Sequence, residues 1–61
     1  MLFKNRKWKI EFIYTPKTGV LARGSVTHEM LFKDMFVVYV IITAIREQYG
    51  FCKFLSISRI D

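Results

Sequence analysis

The chain has 61 residues, of which 52% are hydrophobic, and ten Lys and Arg against five Asp and Glu give a formal net charge of +5. This length allows one domain, residues 1–61, and leaves no room for a catalytic cleft between two lobes, so we do not expect an enzyme. A domain of this size buries only about 60% of the surface that its unfolded chain exposes. Some of the apolar side chains must therefore lie on the surface, where contiguous apolar area is typical of a protein-binding site.

The cysteine content and the hydropathy pattern indicate a cytoplasmic protein. Cys52 is the one cysteine and cannot form an internal disulfide, whereas small secreted domains normally depend on several. The basic amino terminus is not followed by an apolar stretch of signal-peptide length. The longest apolar run, residues 35–42, is far shorter than the roughly 20 residues that a membrane-spanning helix needs. We therefore expect neither secretion nor membrane insertion.

Residues 7–15 alternate between apolar and polar side chains, which predicts a half-buried strand. The apolar positions of this strand are Trp8, Ile10, Phe12 and Tyr14. The pattern stops at residues 15–19, where Pro16 removes a backbone donor and Gly19 can adopt a positive φ, so we expect a turn. A return strand is predicted from Val20 to about Glu29, which gives a β-hairpin, and Gly24 in its middle suggests a bulge.

Residues 35–49 are rich in strand formers, but their spacing predicts a helix. At 100° per residue, one side collects the apolar residues and the other collects polar ones. Asp34 suits the N-cap, and Gly50 suits the position after the last turn. An alternative is a helix that starts as early as Glu29 or Met30, so the sequence does not decide whether residues 29–34 form a strand, a loop or part of the helix. The side expected to face inward holds Val38, Ile41, Ile42, Ile45 and Tyr49.

The last segment, residues 51–60, has the length and residue types of a third strand. The element order is therefore strand, strand, helix, strand, which predicts a two-layer α+β domain. We expect a three-stranded antiparallel sheet with the helix on the face of Trp8 and Tyr14. The other face of the sheet, with Lys7, Lys9 and Arg23 on it or at its rim, would be left open.

Three apolar residues are predicted to lie on the outer side of the helix. When the isoleucines face inward, Phe36, Tyr39 and Val40 fall near Thr43 and Glu47, on the side that should meet water. Aromatic residues at such positions resemble the anchors of protein interfaces. We therefore predict that Phe36, Tyr39 and Val40 bind a protein partner or a second copy. The alternative is burial of this side by a loop or by Leu2 and Phe3.

A second hypothesis is nucleic-acid binding by a basic cluster. Cations neutralise phosphates, and an aromatic ring can stack on an unpaired base. Alternate lysines are also typical of the solvated face of an edge strand, and Trp8 alternates with them, so it is expected to point away from them. The residues of this hypothesis are Lys4, Arg6, Lys7, Lys9 and Arg23.

Catalysis, metal binding and cofactor binding have no support in the sequence. His28 and Cys52 are too few for a closed zinc site, and a catalytic dyad would need them to meet in space. The carboxylates are scattered along the chain, without the pairing that acid and base catalysis requires. We therefore predict no catalytic residue, no metal, no cofactor and no small-molecule substrate.

The order of elements resembles that of very small phage-encoded inhibitors of host factors, in particular the Dmd antitoxin family of T4-like phages. The points of similarity are Val26-Thr27 closing the second strand, Lys33-Asp34 before the helix, and Cys52 at the start of the last strand. The resemblance implies a non-enzymatic inhibitor that binds a host toxin or another host protein in the host cytoplasm. A homodimer through the outer helix face or the open sheet face is compatible with both this hypothesis and nucleic-acid binding.

Overall fold

The computed structural model describes residues 4–61. Three strands, β1 (Arg6–Tyr14), β2 (Ala22–Met30) and β3 (Cys52–Arg59), form one antiparallel sheet in the order β2-β1-β3, and the helix α1 (Met35–Tyr49) lies between β2 and β3 in sequence. The predicted α+β class and ββαβ order are confirmed. The hypothesis that Leu2 and Phe3 cover the helix lies outside the described residues.

The central strand β1 has one apolar face, as its alternation predicts. Ile10 is opposite Val26 on one side and Ile57 on the other, so these three residues share the face that packs against α1. Their neighbours along β1, Lys9 and Glu11, are directed to the opposite face. The helix therefore covers the predicted face of the sheet and leaves the lysine face open.

The hairpin turn is formed as predicted, but its second strand starts later than predicted. Gly19 has φ 82°, and its N–H donates to the Pro16 carbonyl at 2.9 Å. Tyr14 and Ala22 are the last paired residues of the hairpin, and the next amide, Thr15 N–H, donates to Phe51 O at 3.3 Å on the β3 side. The predicted start of β2 at Val20 is therefore wrong by two residues. The strand continues to Met30, and a loop of residues 31–34 precedes α1.

The predicted bulge at Gly24 is wrong. Gly24 lies in regular register opposite Phe12, and a Cβ added to it would come within 2.8 Å of Phe12 Cε2. Glycine is required there because the Phe12 ring lies across the backbone. The irregularity is in the other strand pair, where Glu11 is opposite Ser56 and Phe12 is opposite Phe54. Leu55 is thus the extra residue of a bulge in β3.

Both predicted caps of α1 are present. The Asp34 carboxylate accepts hydrogen bonds from the N–H groups of Phe36 (3.0 Å) and Val37 (3.4 Å), which have no partner within the helix. At the other end Gly50 has φ 89°, and its N–H donates to Arg46 O. The start of the helix at Met35 is therefore determined by Asp34, and the alternative start near Glu29 is wrong.

The core is small, and the backbone of α1 comes close to only two of the three strands. Six hydrophobic residues in the described chain are buried, and α1 lies over β1 and β3 without close backbone contact to β2. Across the sheet, Trp8 Nε1–H donates to Met30 O at 3.2 Å. The buried residues are Ile10, Phe12, Met30, Val38, Ile42 and Cys52.

The molecule is elongated. Its radius of gyration is 12.9 Å, whereas about 10.5 Å is expected for a compact domain of this length. Its accessible surface is 4770 Å², compared with about 4,200 Å² expected from its mass. One copy therefore exposes more surface than a compact protein of this size. α1 is the one helix of residues 4–61, and it is not long and apolar enough to cross a membrane.

Candidate protein-binding surface

The first half of α1 is apolar on all sides. Residues 35–42 read Met-Phe-Val-Val-Tyr-Val-Ile-Ile, and the first polar side chain of the helix is Thr43. A helix that is apolar all round is normally buried all round, but this one has a sheet on one side only. Val38 and Ile42 fill the core, and the residues of the opposite side are left without cover in the described chain. The uncovered set, hereafter the helix patch, is Met35, Phe36, Tyr39 and Val40.

The predicted interface residues are all exposed. Phe36 is 75% exposed, Tyr39 is 68% exposed and Val40 is 51% exposed. Phe36 and Val40 are one turn apart, so their side chains lie on the same side of the helix, and Tyr39 is adjacent to both. Large aromatic side chains that are rigid and accessible are the residue types that contribute most at protein interfaces. The structure thus places the three residues together on one open surface.

A groove between α1 and β3 extends the helix patch. Its volume is about 580 Å³, and Met35 and Tyr39 form one wall while Phe51 and Phe54 from the β3 side form the other. Val38, Ile42 and Cys52 also line it, and Arg46 and Lys53 are the charged lining residues. Arg46 Nη2 donates to Cys52 O at 3.2 Å, which ties the end of the helix to the start of β3. The groove and the helix patch share Met35 and Tyr39 and form one continuous apolar surface.

The opposite face of the sheet is polar. Arg23 Nη2 lies 2.9 Å from Glu11 Oε2, and Lys9 Nζ lies 3.7 Å from Glu11 Oε1. Together with Gly24 and Ser25 these residues line an open depression of about 490 Å³. Exposed ion pairs of this kind contribute little to stability, about 0 to 1 kcal/mol each. This face therefore offers little apolar surface to a partner.

The five residues of the basic cluster do not form one surface with the tryptophan. Lys7, Lys9 and Arg23 share the open face, whereas Arg6 and Trp8 alternate with them and belong to the face of α1. Lys4 is exposed and precedes β1. Trp8 is half-buried and packs against the core, as predicted. No aromatic side chain of residues 4–61 accompanies the lysines on the open face, so a stacking platform for bases is missing from it.

His28 and Cys52, the two residues considered as metal ligands or as a catalytic dyad, are far apart. His28 is opposite Trp8 at one end of β1, and Cys52 is opposite Tyr14 at the other, about 20 Å away along the strand direction. They also lie on the two outer strands, so they cannot form a catalytic dyad. Burial raises the pKa of the Cys52 thiol, an effect partly offset by the Arg46 charge, so Cys52 is a poor nucleophile. No cluster of three or more potential metal ligands occurs in the part of the chain that the structure describes.

The apolar surface extends beyond the residues predicted from the sequence. Met35 and Phe51 are each 50% exposed, and they extend the patch beyond the predicted residues. Met35 could have been predicted from helical spacing, because it lies one turn before Tyr39 on the same side of the helix. The position of Phe51 could not be predicted from the local sequence pattern, because it depends on how α1 packs against β3.

Comparison with family models, with curated proteins and with solved structures finds no match to this chain. The resemblance to the Dmd antitoxin family therefore stays a prediction.

Proposed function

We propose that this chain is a small non-enzymatic binding protein that covers a site on another protein, as a phage-type inhibitor or antitoxin does. The observation that carries the proposal is the helix patch: half of α1 is apolar all round, and residues 4–61 cover only one side of it. Exposed aromatic surface of this kind is costly to leave in water and is typical of a docking site.

The mechanism that follows is steric occlusion. The aromatic rings of Phe36 and Tyr39 enter a complementary apolar pocket of the target, and the groove beside β3 accepts a side chain of the target in return. No catalytic group is needed, because a tightly bound domain of this size blocks access to the site that it covers.

The helix patch favours a protein target over a nucleic acid. The open face carries cations, but Arg23 and Lys9 are both ion-paired with Glu11, and Trp8 lies on the other face. Binding to phosphates would weaken steeply with salt, because each contact releases a counterion on binding. Binding through the helix patch depends on apolar burial and is expected to persist at high salt.

The proposal is tested by affinity capture from a bacterial lysate, with and without nuclease, using the wild type and two variants. The double variant Phe36→Ala/Tyr39→Ala removes the two exposed rings. The control is Ile60→Ala, since Ile60 is as exposed as Val40, at 51%, and lies outside the helix patch. Truncating two anchor residues is expected to weaken binding about 30-fold or more, which corresponds to about 2 kcal/mol.

The expected result is a stoichiometric protein that survives nuclease and high salt, is retained by Ile60→Ala and is lost with the double variant. Far-UV circular dichroism of the double variant checks that the fold is intact. Equal capture by the wild type and the double variant would show that the helix patch is not the binding site. Loss of all captured proteins on nuclease treatment would support the basic cluster instead.

A further inference from the structure

The outer edge of β2 is long, regular and unpaired in residues 4–61. All nine residues from Ala22 to Met30 pair with β1 without a register shift, and no described strand lies on the far side. About half of these residues direct their N–H and C=O groups to that free edge. Edge strands of soluble proteins are usually blunted by a bulge, a proline or charged side chains, or are covered. β3 has such a bulge at Leu55, whereas β2 has neither bulge nor proline, and its charged residues Arg23 and Glu29 are of opposite sign.

The charges of β2 are self-complementary. When a second copy pairs antiparallel with β2 so that Val26 is opposite Val26, residue k is opposite residue 52 − k. Arg23 is then opposite Glu29 of the second copy, and Glu29 is opposite its Arg23. Both pairs lie on the open face, because residues of odd number in β2 point there. Opposite charges directly across a strand pair are favourable, and like charges are unfavourable.

The same register brings together two exposed apolar segments at each end of the paired strands. Val20 and Leu21, which are 70% and 59% exposed, precede β2, and Leu31 and Phe32 follow it. Because the two strands are antiparallel, Val20 and Leu21 of one copy lie at the same end of the pairing as Leu31 and Phe32 of the other. Apolar residues that one copy leaves in water are thereby brought to the same two ends of the dimer.

No neighbouring register has this property. The nearest registers that keep every side chain on the same face of the sheet change the sum of the paired residue numbers by two. One such slip places Glu29 opposite Leu21 of the second copy, and the other places it opposite Ser25. Either slip separates both charge pairs, so the charges specify one register.

We propose that two copies of this chain associate through their β2 edges, antiparallel and centred on Val26, to form one six-stranded sheet. The twofold axis is perpendicular to the sheet, so both α1 helices lie on the same face. This inference does not depend on the proposed function, because the helix patch lies on the exposed side of α1 and is separate from the free edge of β2.

The test uses charge reversals and sedimentation velocity at a series of concentrations. Arg23→Glu gives a chain with two acidic residues at the paired positions, and Glu29→Arg gives a chain with two basic ones. Each variant alone is expected to dimerise about tenfold or more weakly than the wild type, because two attractive pairs become two repulsive ones. An equimolar mixture is expected to restore the dimer, since every pair is again opposite in charge.

Lys53→Glu is the matched control. Lys53 is across Ile13 from Arg23, on the same face but in β3, so this variant has the same change of charge at the other edge. It is expected to dimerise like the wild type. A monomeric wild type at all concentrations would overturn the proposal, and so would a mixture of the two reversals that stays monomeric while each variant is folded.

Cross-linking provides a second, independent measurement. Val26→Cys places a thiol opposite the same thiol of the second copy, where the Cα separation of about 4.5 to 5.5 Å allows a disulfide. Mild oxidation is expected to give a covalent dimer, whereas Ser58→Cys in β3 is expected to give none. Cys52 is 2% exposed and does not compete. Dimerisation of Phe36→Ala/Tyr39→Ala is expected to be unchanged, which distinguishes failure of this proposal from failure of the proposed function.

Discussion

Gly24→Ala is expected to destabilise the protein, although alanine usually suits a strand better than glycine. Glycine in a strand costs roughly 0.5 to 1 kcal/mol relative to alanine, because it loses more backbone freedom on folding. Here the new Cβ would lie 2.8 Å from Phe12 Cε2, 2.9 Å from Phe12 Cζ and 3.1 Å from Tyr14 Cε1. Phe12 is 7% exposed, and its ring packs against Tyr14 at a centroid distance of 5.8 Å, so it has little room to move.

The magnitude follows from these two opposing effects. Overpacking of a core costs about 1 to 3 kcal/mol, and the backbone effect returns up to about 1 kcal/mol. With the middle of each range, about 2 kcal/mol of overpacking less about 0.75 kcal/mol from the backbone, the net loss in the free energy of unfolding is about 1 kcal/mol, which lowers Tm by roughly 4 to 8 °C in a domain of this size. Thermal and urea unfolding followed by circular dichroism measure it. Ser25→Ala is the control, since Ser25 is the next residue of β2 and is exposed on the open face.

A double-mutant cycle with Phe12→Leu tests the cause. If the clash with the ring is responsible, Gly24→Ala should cost less in the Phe12→Leu background, and the coupling energy should be about 1 kcal/mol. A Tm for Gly24→Ala at or above that of the wild type would refute the reasoning. So would additive effects of the two substitutions, because they would show that the ring and the new methyl group do not meet.

Two further predictions concern the helix cap and the thiol. Asp34→Ala should lower the free energy of unfolding by about 1 kcal/mol, whereas Asp34→Asn, which keeps an acceptor for Phe36 N–H and Val37 N–H, should lose less in urea unfolding. Because burial raises the pKa of the Cys52 thiol, the native state keeps a proton that the unfolded chain releases, so stability should fall as pH rises above about 8.5. Cys52→Ala should remove this part of the pH dependence, and an unchanged slope between about pH 8 and 10 would contradict it.

Local patterns were sufficient to predict the elements of this fold. The alternation around Ile10, the turn at Pro16 and Gly19, and the caps Asp34 and Gly50 each have a physical cause within a few residues, and each is confirmed. The features that were predicted wrongly depend on contacts between distant segments. The sequence suggests a bulge at Gly24 because the close approach that explains the glycine is to the Phe12 ring, which lies in another strand.

In the candidate protein-binding surface, too, only the features that depend on local spacing could be predicted from the sequence. The outward direction of Phe36, Tyr39 and Val40 follows from helical periodicity. The groove wall formed by Phe51 depends on the placement of α1 over β3, and the free edge of β2 depends on the strand order β2-β1-β3. Neither can be predicted from spacing along the chain, because several strand orders satisfy the same alternation.

The hydrogen bond from Trp8 Nε1–H to Met30 O gives the molecule an intrinsic optical reporter. Trp8 is the one tryptophan of the chain, and its indole joins the beginning of β1 to the end of β2, at the end of the sheet opposite the hairpin turn. Its fluorescence therefore senses the point where β2 leads into the helix and is insensitive to fraying near Gly19. Emission that shifts before the loss of helical ellipticity would identify this strand end as the first part of the native structure to open.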